Sequence, residues 1–239
     1  MRCFKPGQVF VLLLMLLGSQ TLSAQSAYEF SSELELGAIF TSGNTEDENI
    51  KFKGTVSALR DAWEHSLSLD GFRSSKENEL AAQRIYTVAS SNYSFRADHF
   101  VQARLAHEDD RFSGFDSQSD LSVSYGQLLL RNRTSMTLDY TVGAGIRTSR
   151  APEDDFNESI LRFSTNYSWN LSENAQFRQT FSIESGDTSS ISRSETSLQS
   201  DIMENLSMKF SIKVKHQSEV PVFREKTDTE TSITLLLRL

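Results

Sequence analysis

From Thr229 to Leu239 every second residue is β-branched or aliphatic: Thr229, Thr231, Ile233, Leu235, Leu237 and Leu239. The intervening Glu230, Ser232, Thr234, Leu236 and Arg238 are mostly polar. A period of two marks a strand with unlike environments on its two faces. About 9–11 residues with one apolar face is also what a tilted bilayer-spanning strand needs. The apolar row reaches the last residue, so the chain is expected to end inside a sheet.

The same alternation recurs along the chain. One apolar row carries Leu34, Leu36, Ala38 and Phe40; the next carries Ile50, Phe52, Val56 and Ala58, then Trp63, His65, Leu67 and Leu69. Later rows are Val101, Ala103 and Leu105; Leu121, Val123, Tyr125 and Leu129; and Met136, Leu138, Tyr140, Val142, Ala144 and Ile146. Leu161, Phe163, Tyr167 and Trp169 follow, then Phe177, Phe181 and Ile183; Thr196, Leu198 and Ile202; and Met208, Phe210, Ile212 and Val214. Between Ala82 and Tyr93 the two faces are nearly equal in polarity, and the pattern leaves their assignment open.

This predicts about twelve antiparallel strands in up-and-down order. The connections alternate in length, with tight turns at Arg60-Asp61, Arg96-Ala97-Asp98, Arg131-Asn132-Arg133, Leu171 to Asn174 and Glu204-Asn205. Polar loops fall at 42–48, around Lys76-Glu77-Asn78, at His107–Ser119, Arg150–Glu158 and Gly186–Arg193, and through Pro221. Short turns on one side, longer loops on the other, an even strand number and both ends on one side describe an outer-membrane barrel. Phe40, Trp63, Trp169 and Phe177 sit near strand ends, as an interfacial aromatic belt places them. The competing architecture is a secreted soluble β-protein, which has no reason to sort its loops by side.

The face opposite the apolar rows is charged. Glu33 and Glu35 on the first strand neighbour Lys51 and Lys53 on the second, which neighbour Glu64 and Asp70 on the third. Interleaved opposite charges predict cross-strand ion pairs filling a narrow lumen. They serve either as a charge-selective constriction or as a plugged structural interior.

Composition narrows the setting. Arg2 and Lys5 precede an apolar run from Val9 to Leu17 and small residues through Ala24, the layout of a secretory signal peptide. Residues 1–24 are therefore expected to be removed, leaving 25–239 as the barrel domain. The only cysteine, Cys3, leaves with that segment, so no disulfide is expected. Removing Arg2 and Lys5 takes 24 basic and 32 acidic residues (−8) to 22 and 32 (−10), a poor balance for binding nucleic acid. Downstream of Ala24 no apolar run is long enough for a spanning helix, so a membrane role requires a barrel.

Three stretches carry a family resemblance: Leu36 to Glu46 (LGAIFTSGNTE), Glu108 to Phe115 (EDDRFSGF), and Val220-Pro221 with Lys226 to Ser232 (KTDTETS). Together they resemble the salt-induced outer-membrane proteins, domain-of-unknown-function family 481 of Gram-negative bacteria, over nearly the whole mature chain. The resemblance implies an outer-membrane β-barrel and names no activity, ligand or cofactor. Such chains usually finish in an aromatic residue, part of the signal read by the barrel-insertion machinery, whereas this one ends in Leu239.

Two motifs invite chemistry. His216-Gln217-Ser218 looks like the His-x-Ser of outer-membrane phospholipase A and lipid A deacylase barrels, with Glu230 at the separation of the third member. Yet His216 continues an apolar row while Glu230 belongs to a polar one, so the carboxylate is expected to point away. The acidic clusters Glu46-Asp47-Glu48, Glu108-Asp109-Asp110 and Glu153-Asp154-Asp155 are weak candidates for divalent cations, such as those that bridge lipopolysaccharide. The bland alternative is solvated charge that hydrates the outer rim. The expectation is a barrel with a structural, envelope-maintenance or narrow-pore role among outer-membrane lipid and lipopolysaccharide, with an esterase as the alternative.

Overall fold

In the computed structural model the described residues are 27–42, 48–76, 79–110, 115–130, 133–150, 155–220 and 224–239. The proposed signal peptide, the acidic residues Glu46, Asp47, Glu153 and Asp154, and the Phe40 and Glu48 side chains lie outside them.

Twelve strands follow one another: β1 (Glu29–Ser42), β2 (Glu48–Arg60), β3 (Trp63–Lys76), β4 (Glu79–Arg96), β5 (His99–Asp110), β6 (Ser117–Leu128), β7 (Met136–Arg150), β8 (Asp155–Ser172), β9 (Ala175–Gly186), β10 (Ser190–Asp201), β11 (Leu206–Gln217) and β12 (Thr227–Arg238). Each pairs antiparallel with its neighbours in sequence, and β1 closes on β12 to complete a barrel. The seam runs from Glu33 opposite Arg238 to Ser42 opposite Thr229. It continues past the strand ends, because Leu239 N–H donates to Ser32 O at 2.9 Å and Ser32 N–H to Leu239 O at 3.1 Å. At Gly37 the two seam strands come so close that a Cβ would stand 2.1 Å from Ile233 O, so only glycine fits there.

The barrel is turned inside out relative to a water-soluble protein. Leu36, Leu67, Leu105, Val123, Val142, Leu161, Leu198, Phe210 and Leu235 are exposed, whereas Glu35, Lys51, Asp70, Arg104, Arg147, Glu158, Glu184 and Glu230 are buried. Period-two alternation on closed strands sends one set outward and the other into the lumen. On β4, whose faces the sequence left open, Arg84, Tyr86, Val88 and Ser90 line the lumen. Its inward row holds an aromatic and a valine, which is why the polarity of the two faces did not differ.

Near the ends that carry the termini, Trp63 and Tyr93 rings lie 4.8 Å apart, and Tyr167 and Phe177 meet edge-on at 6.3 Å. Such rings match an interfacial girdle. In the tight turn joining β2 to β3 Asp61 takes a left-handed backbone, φ 53°, which aspartate tolerates.

Connection lengths depart from expectation in places. Residues 129–135 join β6 to β7, longer than the tight turn expected, and Leu129 falls in this connection, its N–H donating to Leu138 O at 2.7 Å. Ile202 likewise lies in the β10–β11 turn. On the other side β3 and β4 run on until only residues 77–78 separate them, and β10 begins at Ser190, inside the loop expected at 186–193. Polar sequence there continues as strand because the two arms of a hairpin pair with each other, as Ser74 with Ala82 and Ser190 with Ser185, and polarity alone cannot distinguish a loop from a protruding strand.

Val142 is 51 % exposed on the outward face of β7. In refolding titrations into lipid bilayers, Val142→Arg should lower the unfolding free energy by about 2–4 kcal/mol, the cost of a cation near the bilayer midplane.

Candidate functional site: the charged lumen

The lumen is crossed by ion pairs as well as lined by them. Glu108 on β5 accepts from Lys215 Nζ at 2.9 Å and from Arg193 Nη2 at 2.8 Å, and β5 and β11 stand diametrically opposite in a ring of twelve. Arg84 on β4 donates to Glu230 on β12 at 2.9 Å, and Lys213 on β11 pairs with Asp70 on β3. Arg193 turns its other nitrogen to Glu184 at 2.7 Å, and Arg104 pairs with Asp120 and donates to the Tyr86 hydroxyl. Long basic side chains thus reach carboxylates on the far wall, and the barrel is narrow enough for their tips to meet.

The six charges anticipated from the first three strands follow a different pairing scheme. Register does set Glu35 opposite Lys53 and Lys53 opposite Asp70. Their ion pairs lie elsewhere: Glu35 with Lys209 at 3.2 Å, Lys51 with Glu230, Asp70 with Lys213 and Arg84, and Glu33 with Arg238 at 3.8 Å. Glu64 accepts from Asn92 at 3.4 Å near the barrel mouth, and Lys53 lines the lumen cavity. Lys51 reaches past β1, where its register partner Gly37 puts no side chain in the way. A linear reading of the first three strands offered only one another as partners; closure brought in β11 and β12, and Asp70 also meets Arg84 on the next strand, β4.

The two ends of the lumen differ. At the end remote from the termini, Gln217 on β11 donates to Gln118 on β6 at 3.4 Å, and Gln118 to Ser149 at 3.2 Å. Ile160 and Ile191 are fully buried nearby. There Arg147 donates to Glu158 at 2.7 Å and to Ser189 O at 2.6 Å, while Thr188 N–H and Ser189 N–H donate to the other Glu158 oxygen at 2.8 and 3.3 Å. The β9–β10 connection is thereby strapped down onto the β7–β8 wall. Gly186 permits the approach, since a Cβ would meet Glu158 Oε2 at 2.2 Å. Towards the termini the inward residues Glu64, Asn166 and Arg178 are exposed instead. A cavity of about 430 Å³ lies in the lumen, bordered by the bridging charges and by Ser90, Gln102, Thr141, Ser164, Asn166 and Thr180.

The His-x-Ser motif is not assembled as a dyad. His216 Nδ1 lies 2.8 Å from Thr227 Oγ1 on the outer surface, and Ser218 Oγ accepts from Ser190 N–H at 2.9 Å. Glu230 is inside, held by Lys51 and Arg84. The acidic run of β5 is split by strand alternation: Glu108 points into the lumen, Asp109 takes the opposite face, and Asp110 borders the cavity. Asp155 opens β8 and is exposed. Among the described residues no group of three or more His, Cys, Asp or Glu could hold a metal ion.

Apolar exterior, charged interior and a closed ring of twelve antiparallel strands together define an outer-membrane β-barrel. The family described as "Protein of unknown function, DUF481" matches residues 34–238, and the chain belongs to it. No curated protein matches the chain. Among solved structures it resembles the NanC porin at 9 % identity and a TM-score of 0.60, covering 86 % of this chain and 100 % of that one. The translocator domain of the autotransporter NalP from Neisseria meningitidis gives 10 % identity and a TM-score of 0.50 over 98 % and 94 %. At such identities these likenesses speak to fold alone.

Glu108 neutralises two cations at once. Glu108→Gln should cost about 3–5 kcal/mol in denaturant unfolding from micelles, because it strips buried charges of their partner. Glu108→Gln combined with Lys215→Met should recover part of the loss.

Proposed function

We propose that this protein is a narrow outer-membrane pore for small polar solutes, closed at rest towards the outer side. The observation that carries the reading is the set of ion pairs crossing a polar cavity. Buried ion pairs are a poor stability device, since apolar packing of equal volume does as well or better. A lumen built only for strength would be filled with apolar or small side chains. Polar bridges can exchange partners with water, ions or solute, and so can open without unfolding the wall. The strap at Glu158 and Ser189 and the amide layer of Gln118 and Gln217 form the outer closure. In this setting the apolar belt meets outer-membrane lipid and the polar outer rim meets lipopolysaccharide, with divalent cations as bridging partners. The barrel-insertion machinery places the chain after export.

Planar-bilayer recording tests the reading. The wild-type protein should show rare openings of low conductance. Glu108→Gln with Arg193→Gln, which removes one charge of each sign, should raise the open fraction severalfold. A folded double variant as tight as the bare bilayer would leave a structural role instead.

A lipid esterase is the alternative reading, and the separation of His216, Ser218 and Glu230 weighs against it. Purified protein should release no fatty acid from phospholipid micelles above blank, with or without Ca²⁺. Ser218→Ala should change only stability, by about 0.5–1.5 kcal/mol for the lost hydrogen bond to Ser190. Serine-dependent release would restore the enzyme.

A further inference from the structure

Arg162 differs from the cations that bridge the lumen. It is 8 % exposed, borders the cavity, and sits mid-strand on β8. Its Nη1 donates only to hydroxyls, Thr141 Oγ1 and Ser164 Oγ, each at 3.2 Å. Its Nε has no hydrogen-bond partner and stands 3.6 Å from Glu184 Oε1, itself without one. The other oxygen of that carboxylate is taken by Arg193 at 2.7 Å. Nearby, Arg104 is matched by Asp120, and Lys215 by Glu108. Among the described residues no carboxylate accepts a hydrogen bond from Arg162, and its ion pair with Glu184 is shared with Arg193 and Arg104, so it is the least completely paired cation on this wall.

Towards the termini, the cavity wall beside that charge is neutral and hydrogen-bonding. Ser90, Gln102, Asn166 and Thr180 border the same cavity as Thr141 and Ser164, on the side of the lumen nearer the termini. At about 430 Å³ the cavity falls within the ordinary range for small-molecule sites, which are fixed by a few polar groups around one charge. An under-matched buried guanidinium favours an anion, and a wall of hydroxyls and amides favours a ligand that itself carries several hydroxyls.

We infer that the lumen holds a binding site for a small polyhydroxylated monoanion, with Arg162 receiving its carboxylate and the Thr141–Ser164–Asn166 wall its hydroxyls. The ligand enters from the end bearing the termini, because the opposite end is shut by the strap and the amide layer. This rests on the lumen reading given under Proposed function, but not on conduction.

Calorimetric titration of the refolded full chain in detergent micelles tests it, with glucuronate, glucose and acetate as probes. Glucuronate should bind saturably and about tenfold or more tighter than glucose or acetate, and Arg162→Gln should remove that margin. Acetate or glucose equal to glucuronate in the wild type, no saturable binding, or a margin that survives Arg162→Gln would each overturn the inference. Should Arg162→Gln fail to refold, the three wild-type titrations decide alone. Glucuronate binding by a protein that never conducts would remove the pore and keep the site. Conduction without binding would do the reverse.

Discussion

Everything in this molecule depends on the closing ladder between β1 and β12. In hydrocarbon an unpaired N–H or C=O costs several kcal/mol, so a sheet enters a bilayer only if it has no edge. The seam meets that requirement from Glu33–Arg238 to Ser42–Thr229, and Ser32 and Leu239 extend it to the last residue. Closure also creates an inside. Once the ring is shut, every inward side chain is confronted by eleven other strands, and charges far apart in sequence must settle their balance in a narrow shared space.

How that balance is struck explains the character of the lumen. Charge taken out of water is costly unless paired and hydrogen-bonded, and here the described bridges meet that need by reaching across. Lys215 and Arg193 share Glu108, Arg84 and Lys51 share Glu230, and Lys213 meets Asp70. Because several of these pairs span the bore, the same contacts join opposite walls and fill the space between them. The outer end adds a second layer, in which Glu158 binds a side chain of one strand and the backbone of a connecting loop. Strap and amide layer lie at the end remote from the termini, whereas Glu64, Asn166 and Arg178 are exposed at the other, so the two ends of the lumen differ.

Period two is the most transmissible signal a barrel has, and it carried the reading far. The outward rows of β1, β3, β5, β7, β8, β11 and β12, the even strand number and the burial of the final strand follow from alternation alone, because a spanning strand must show one face to lipid along its length. The misfit of Glu230 with His216 was legible for the same reason. The β4 faces were not, since Tyr86 and Val88 stand in the polar lumen, where an aromatic can lie beneath the Arg193 guanidinium at 5.1 Å. Loop boundaries failed where strands protrude beyond the membrane, because their polar residues look like loop and only hairpin pairing makes them strand.

What the sequence determined by itself, then, was the wall: strand count, facing and chemistry depend on local alternation, which neighbours in the chain express. What the tertiary structure alone decided was who meets whom in the lumen. Glu35, expected among the lysines of β2, instead holds Lys209; Lys51 passes over Gly37 to Glu230. Arg162 has no feature in its heptapeptide that marks it from Arg104 or Arg193. It lacks a hydrogen-bonded carboxylate because Glu184, its register partner on β9, is taken by Arg193 from β10, and Asp120 by Arg104. Pairing across a barrel is set by stagger, side-chain length and competition among all inward groups at once, and no window of sequence contains those.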